Sequence, residues 1–173
     1  AVDGYREIQY EAKRLRHLIN LVESPRFRYQ GARVVSLAPS PLFQSVKVDR
    51  GTADGVQVGM GVLAHGGVAG MVSAVSEHQA DVMLLIDANA TVDVLVQRTR
   101  THGRVRGMGE SDRFRAKLNY VLRTDDVRLG DRIITSGWKV FPKGIPVGRV
   151  DEIKRKHFGL YQEVRLHVGV DFA

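Results

Sequence analysis

The sequence predicts a mainly β protein: an N-terminal helix followed by two related β modules. Three observations carry this. The first 24 residues hold a heptad pattern, the chain from Arg33 onward is cut into short β-branched runs, and the second half repeats the first.

The helix comes first. Tyr5, Ile8, Ala12, Leu15, Ile19 and Val22 recur at alternating spacings of 3 and 4, and Leu18 and Leu21 widen the stripe. Arg6, Glu7, Glu11, Lys13, Arg14 and Arg16 fill the positions between. Pro25 disfavours helical geometry at Ser24, so the helix is expected to stop there. The strict alternation fits the end of a coiled coil over residues 1–30, with the six seam residues as the self-association face. An isolated helix packed on its own domain would show a similar stripe. The blunt start at Ala, without an initiator Met, fits an excised piece of a longer chain.

After the helix the period changes to two. "SVKVD" (45–49), "GVLAH" (61–65), "GMVSAV" (70–75), "DVMLLID" (81–87) and "TVDVLVQ" (91–97) are separated by Gly, Asn and Asp turns. "KLNYVL", "DRIITS", "PVGRVDEI" and "EVRLHVGV" continue the series. Segments this short and evenly punctuated predict a barrel or sandwich, not a doubly wound sheet with crossover helices.

The repeat is legible in "VQVGMGVLAHGG" (56–67) and "VRLGDRIITSGW" (127–138). Gly59 falls on Gly130, Val62–Leu63 on Ile133–Ile134 and Gly66 on Gly137. An offset of 71 holds from Ala32 to Gly66; about seven extra residues, "WKVFPKG", follow in the second copy, and then Gly70 meets Gly148 and Val72 meets Val150. Two tandem modules follow, 31–97 and 98–173, between which a strand may be exchanged. The first copy ends in the strand "TVDVLVQ" whereas the second stops at "VDFA", so the second module is expected to lack its last strand and to expose an edge.

Composition narrows the chemistry. There are no cysteines, the net charge is +7, and no apolar run reaches the length of a membrane helix. The charge is concentrated in 98–117, where Arg98, Arg100, Arg104, Arg106, Arg113 and Arg115 are candidates for contact with an anionic surface, lipid or protein. No phosphate-loop signature holds the glycines, and the six histidines show no metal-ligand spacing. Ser136 lies at a strand end outside any nucleophile motif. Asp49, Asp54, Asp87 and Asp131 sit beside glycines or at strand ends, where they read as turn caps. No catalytic residue, metal or cofactor is predicted. Phe114 is the only aromatic in the basic run, which argues against a nucleic-acid groove. A degenerate chymotrypsin-like hydrolase and a basic nucleic-acid-binding β-barrel are the alternatives.

The phrases "VDRGTADGVQVGMGVLAHGGVAGMVSAV", "LLIDANATVDVLV" and "LRTDDVRLGDRIITSGWKVFPKGIPVGRV" together resemble the bacterial rod shape-determining MreC family over residues 33–173. The resemblance implies two six-stranded barrels, distantly protease-like and without a working triad, behind a coiled coil. It further implies a non-catalytic scaffold of the cell-elongation complex. Such a scaffold self-associates as a dimer or filament and is anchored by a single membrane helix upstream of residue 1, with this region outside the cytoplasm. It binds the elongation-specific peptidoglycan transpeptidase and other rod-complex membrane proteins. In the extra loop, Trp138 and Phe141 are candidate partner contacts. Phe141 stands in a recurrent family phrase and is expected to pack inward, which leaves Trp138 as the better surface residue.

Overall fold

The computed structural model describes residues 27–37, 44–109, 114–138 and 140–172. The helix expected over residues 1–30, with its seam Tyr5, Ile8, Ala12, Leu15, Ile19 and Val22, lies outside the described residues. The described residues form two antiparallel units. β1 (Val34–Leu37), β2 (Ser45–Val48), β3 (Gly61–Ala64), β4 (Gly67–Val75) and β5 (Ala80–Leu84) make an open sheet in the order β1-β2-β5-β4-β3. β6 (Thr91–Val96), β7 (His102–Gly107), β8 (Arg115–Asn119), β9 (Arg132–Thr135), β10 (Pro146–Lys154) and β11 (Glu163–Val168) close into a barrel in the order β10-β11-β8-β7-β6-β9.

The sequence repeat is a repeat of strand pairing. The sheet order β1-β2-β5-β4-β3 recurs in the barrel as β7-β8-β11-β10-β9. The irregularities recur with it. Register slips at Val72/Ala74 in the first copy and at Val150/Glu152 in the second. The residues at +3 and +10 of the repeated phrase need the left-handed backbone that glycine adopts freely: φ is 91° at Gly59 and 85° at Gly130, 99° at Gly66 and 83° at Gly137.

Two expectations are corrected. The first module is not a six-stranded barrel among the described residues, because the strand Thr91–Val96 joins the second unit. The loop of residues 97–101 is short, and Val96 N donates to Thr101 O at 2.8 Å, so β6 folds back on β7 as a hairpin. For the same reason the second barrel is not left a strand short. β6 pairs with β7 on one side and β9 on the other, closing the ring.

Alternation explains the barrel core. Val92, Val94 and Val96 of β6, Val105 of β7, Ala116 and Leu118 of β8, and Val164, Leu166 and Val168 of β11 point inward and are buried. Val68 of β4 and Leu85 and Ile86, just after β5, join this cluster, with β4 lying against β10. The open sheet's own second core is small: Val48, Val72, Ala80 and Val82.

Candidate interaction surfaces

The extra loop of the second copy is folded over the barrel end by one threonine. Thr135, buried at the end of β9, donates its hydroxyl to Pro142 O at 2.5 Å and accepts from Ile145 N at 2.9 Å. Gly144 N also donates to Thr135 O at 3.0 Å. This tether sets the two aromatic candidates apart. Phe141 is 4% exposed and its ring lies against Gly61 of β3, where an added β-carbon would come within 2.5 Å of it. Phe141 is thus a core residue joining barrel to sheet, which removes it from any partner surface. Trp138 is 66% exposed and lines a shallow depression with Met71, Thr91, Asp93 and Val140. Ser136 beside it donates its hydroxyl to the carbonyl of Asp93 at 3.2 Å.

The arginine-rich strands are outward-facing, as alternation requires, but the guanidinium groups of Arg98, Arg104 and Arg115 meet carboxylates of the chain. Arg104 faces Asp93 across the β6–β7 ladder and pairs with it at 2.9 Å. Arg115 reaches Asp151 at 3.1 Å and Glu152 at 3.3 Å, and Arg106 donates to Ala88 O at 2.6 Å. Arg98 is the most engaged: it donates to both oxygens of Asp131, at 2.9 and 3.0 Å, and to Asp126 at 3.0 Å. Arg113 lies outside the described residues, and Arg100 occupies the β6–β7 turn with φ 62°. Cross-strand register neutralises much of this run, and register is invisible in a linear sequence.

Three of the four singled-out aspartates, Asp54, Asp87 and Asp131, act as turn caps, whereas Asp49 extends the β1–β2 pairing by bonding Arg33, 16 residues away. Asp49 accepts from Arg33 N at 2.7 Å, Asp54 from Gly51 N at 3.1 Å, Asp87 from Gln44 N and Asn89 N at 2.8 Å each, and Asp131 from Arg128 N at 2.9 Å. Hydrogen bonding from Arg98 holds the Asp131 and Asp126 carboxyls below the usual carboxylate range and pushes the guanidinium up. A carboxyl with a lowered folded-state pKa stabilises the fold fully above its unfolded value, near pH 4. The contribution disappears as pH falls through the folded value. We expect the melting temperature to fall on acidification below about pH 4, more steeply in the wild type than in Asp131→Asn, which should start lower at neutral pH. Equal acid slopes in thermal melts would assign the acid sensitivity elsewhere.

One surface escaped the sequence reading. Phe158 and Leu160, on the β10–β11 hairpin, are 75% and 64% exposed, and Tyr120, Leu122 and Tyr161 stand exposed beside them. The signal is "RKHFGLY" (155–161), where large apolar residues interrupt a basic turn, but nothing in the sequence shows that its side chains stay uncovered. Among the described residues no group of three or more His, Cys, Asp or Glu could hold a metal.

Comparison with known proteins agrees with this architecture. The family described as "Rod shape-determining protein MreC, barrel core" matches residues 34–173. The cell shape-determining protein MreC of Caulobacter vibrioides is 34% identical over 82% of this chain and 40% of its own length. The chain therefore spans well under half of that relative. A crystal structure of MreC from Pseudomonas aeruginosa superposes with a TM-score of 0.75 at 32% identity, covering 80% of this chain and 88% of that one. A complex between penicillin-binding protein 2 and MreC from Helicobacter pylori contains a chain of the same fold, with a TM-score of 0.68 at 16% identity, covering 84% of this chain and 90% of that one.

Proposed function

Because this chain belongs to the family of the rod shape-determining protein MreC, we propose that it is part of a non-catalytic scaffold that maintains cell shape by organising the cell-elongation complex. The match over residues 34–173 carries this reading. The surfaces support a binding role: among the described residues Trp138, Phe158 and Leu160 stand exposed, and the buried Asp87 and Asp131 are used as turn caps. In this reading the region lies outside the cytoplasm, on a single membrane helix upstream of residue 1. The seam from Tyr5 to Val22 pairs chains into dimers or filaments. In this reading any distant likeness of its one closed barrel to a protease module is one of architecture only.

The partner we assign is the elongation-specific transpeptidase, since the Helicobacter pylori relative was solved in complex with penicillin-binding protein 2. Trp138 is our candidate contact, as a large ring held out beside a depression by a loop that is itself tethered. The test is binding of the purified chain to the extracytoplasmic part of the transpeptidase from its own organism. Wild-type protein should bind, and Trp138→Ala should weaken binding by at least about tenfold without changing the melting temperature. Equal binding by Trp138→Ala would discard the contact; no binding by the wild type would discard the partner.

A further inference from the structure

The β10–β11 hairpin combines three features that occur together at one place. No residue from Lys154 to Tyr161 is buried, so the turn stands clear of the barrel. It carries Phe158 and Leu160 on either side of Gly159, whose φ of 91° makes the turn. Arg123 and Arg155 flank it, lining a depression together with Leu122 and Leu160. Neither guanidinium has a carboxylate partner among the described residues: Arg155 donates to the Gln162 side chain at 3.4 Å and Arg123 to Gly159 O at 3.3 Å. That separates them from Arg98, Arg104 and Arg115, which are paired with acids.

The arrangement is also held in place. Gln162, 3% exposed, donates to Leu122 O at 2.9 Å and Asp125 O at 3.0 Å, stapling the loop after β8 to the hairpin. Leu122 and Tyr161 form a β-bridge, and the rings of Tyr120 and Tyr161 meet edge to face with centroids 5.9 Å apart. Tyr120 adopts φ 68°, an unfavourable backbone for a tyrosine, while its ring stays 59% exposed. The amide staple, the bridge and the ring contact thus hold an apolar surface in water and keep Tyr120 in its strained backbone.

We propose that this hairpin docks on an anionic phospholipid bilayer. An apolar apex, tyrosines set behind it and unpaired arginines at its rim match the layers of a membrane interface: acyl boundary, headgroup level and phosphate. The phosphates supply the charge that Arg123 and Arg155 lack within the chain. This inference stands on the hairpin's own chemistry and does not depend on the transpeptidase contact. It also differs from an anionic contact at the arginine-rich strands, where Arg104 and Arg115 are paired with acids.

The test is co-sedimentation of the protein with vesicles of phosphatidylcholine alone or containing about one-third phosphatidylglycerol. Wild-type protein should bind the anionic vesicles and lose at least about tenfold in affinity in Phe158→Ser/Leu160→Ser and in Arg123→Gln/Arg155→Gln. Raised salt should weaken binding. Circular dichroism melts check that the variants stay folded, and a Phe158→Trp reporter in a Trp138→Phe background should shift its emission to the blue on anionic vesicles. Equal binding to zwitterionic vesicles, wild-type binding by both double variants, or no vesicle binding would overturn the proposal. Loss of transpeptidase binding in the Phe158→Ser/Leu160→Ser variant, with no vesicle binding by the wild type, would make the surface a protein interface instead.

Discussion

A fragment of residues 98–173 should show no cooperative thermal melt, while a fragment of residues 84–173 should unfold in a single transition. The difference between them is chiefly β6. Cutting at residue 98 removes Val92, Val94, Leu95 and Val96, which are 5%, 0%, 2% and 1% exposed. At about 1.5–3 kcal/mol for each buried side chain, the loss is on the order of 6–12 kcal/mol. That is comparable with the whole stability of a typical domain, about 5–15 kcal/mol. It also strips the ladder partners from β7 and β9 at once, opening the ring along two edges. The longer fragment keeps Leu85 and Ile86 in the same core. Circular dichroism melts of the two fragments settle the matter, and a sharp melt from 98–173 would mean that the barrel closes without β6.

The second large effect is expected where the extra loop crosses to the open sheet. Phe141→Ala should destabilise the protein by about 3–5 kcal/mol, since it empties a site enclosed by the barrel cluster and β3. Gly61→Ala should cost about 1–3 kcal/mol, because its new methyl group enters space held by the Phe141 ring. The double variant should lose less than the sum of the two, as the added methyl fills part of the vacated volume. Chemical denaturation of the four proteins completes the cycle. Strict additivity would show that the loop and β3 are not packed together, and an unchanged Phe141→Ala would return that ring to the surface.

Local pattern was the legible part of this protein. Period-two alternation placed the strands, and of the glycines at 59, 61, 66, 67 and 70 read as positive-φ turn and bulge positions, Gly59, Gly66 and Gly67 are so, while Gly61 and Gly70 are not. Asp54, Asp87 and Asp131 could be read as caps because a cap involves near neighbours, whereas the bond of Asp49 to Arg33 across the ladder could not be read. What stayed hidden depends on which strands become neighbours. β6 follows the first copy in sequence and belongs to the second in space; the repeat allowed for an exchanged strand, but the hairpin that assigns this one is not legible in its apolar face. Arg104 could be seen as basic, but not as lying opposite Asp93. Phe158 and Leu160 could be seen as apolar, but their exposure is a property of the assembled barrel.

The contrast between an open sheet and a closed ring has a mechanical meaning. Among the described residues β1 is held on one side only, by its short ladder to β2, and it is the first strand of the sheet. Tension applied from the N-terminal side therefore acts on one edge and peels hydrogen bonds in turn, β1 from β2 and then β2 from β5. The barrel has no such end to pull: each of its strands is gripped on both sides, so it yields only if a strand slides past two neighbours together. Strain delivered along the chain would be absorbed by the first unit as extension, while the second kept its shape and the surfaces it displays.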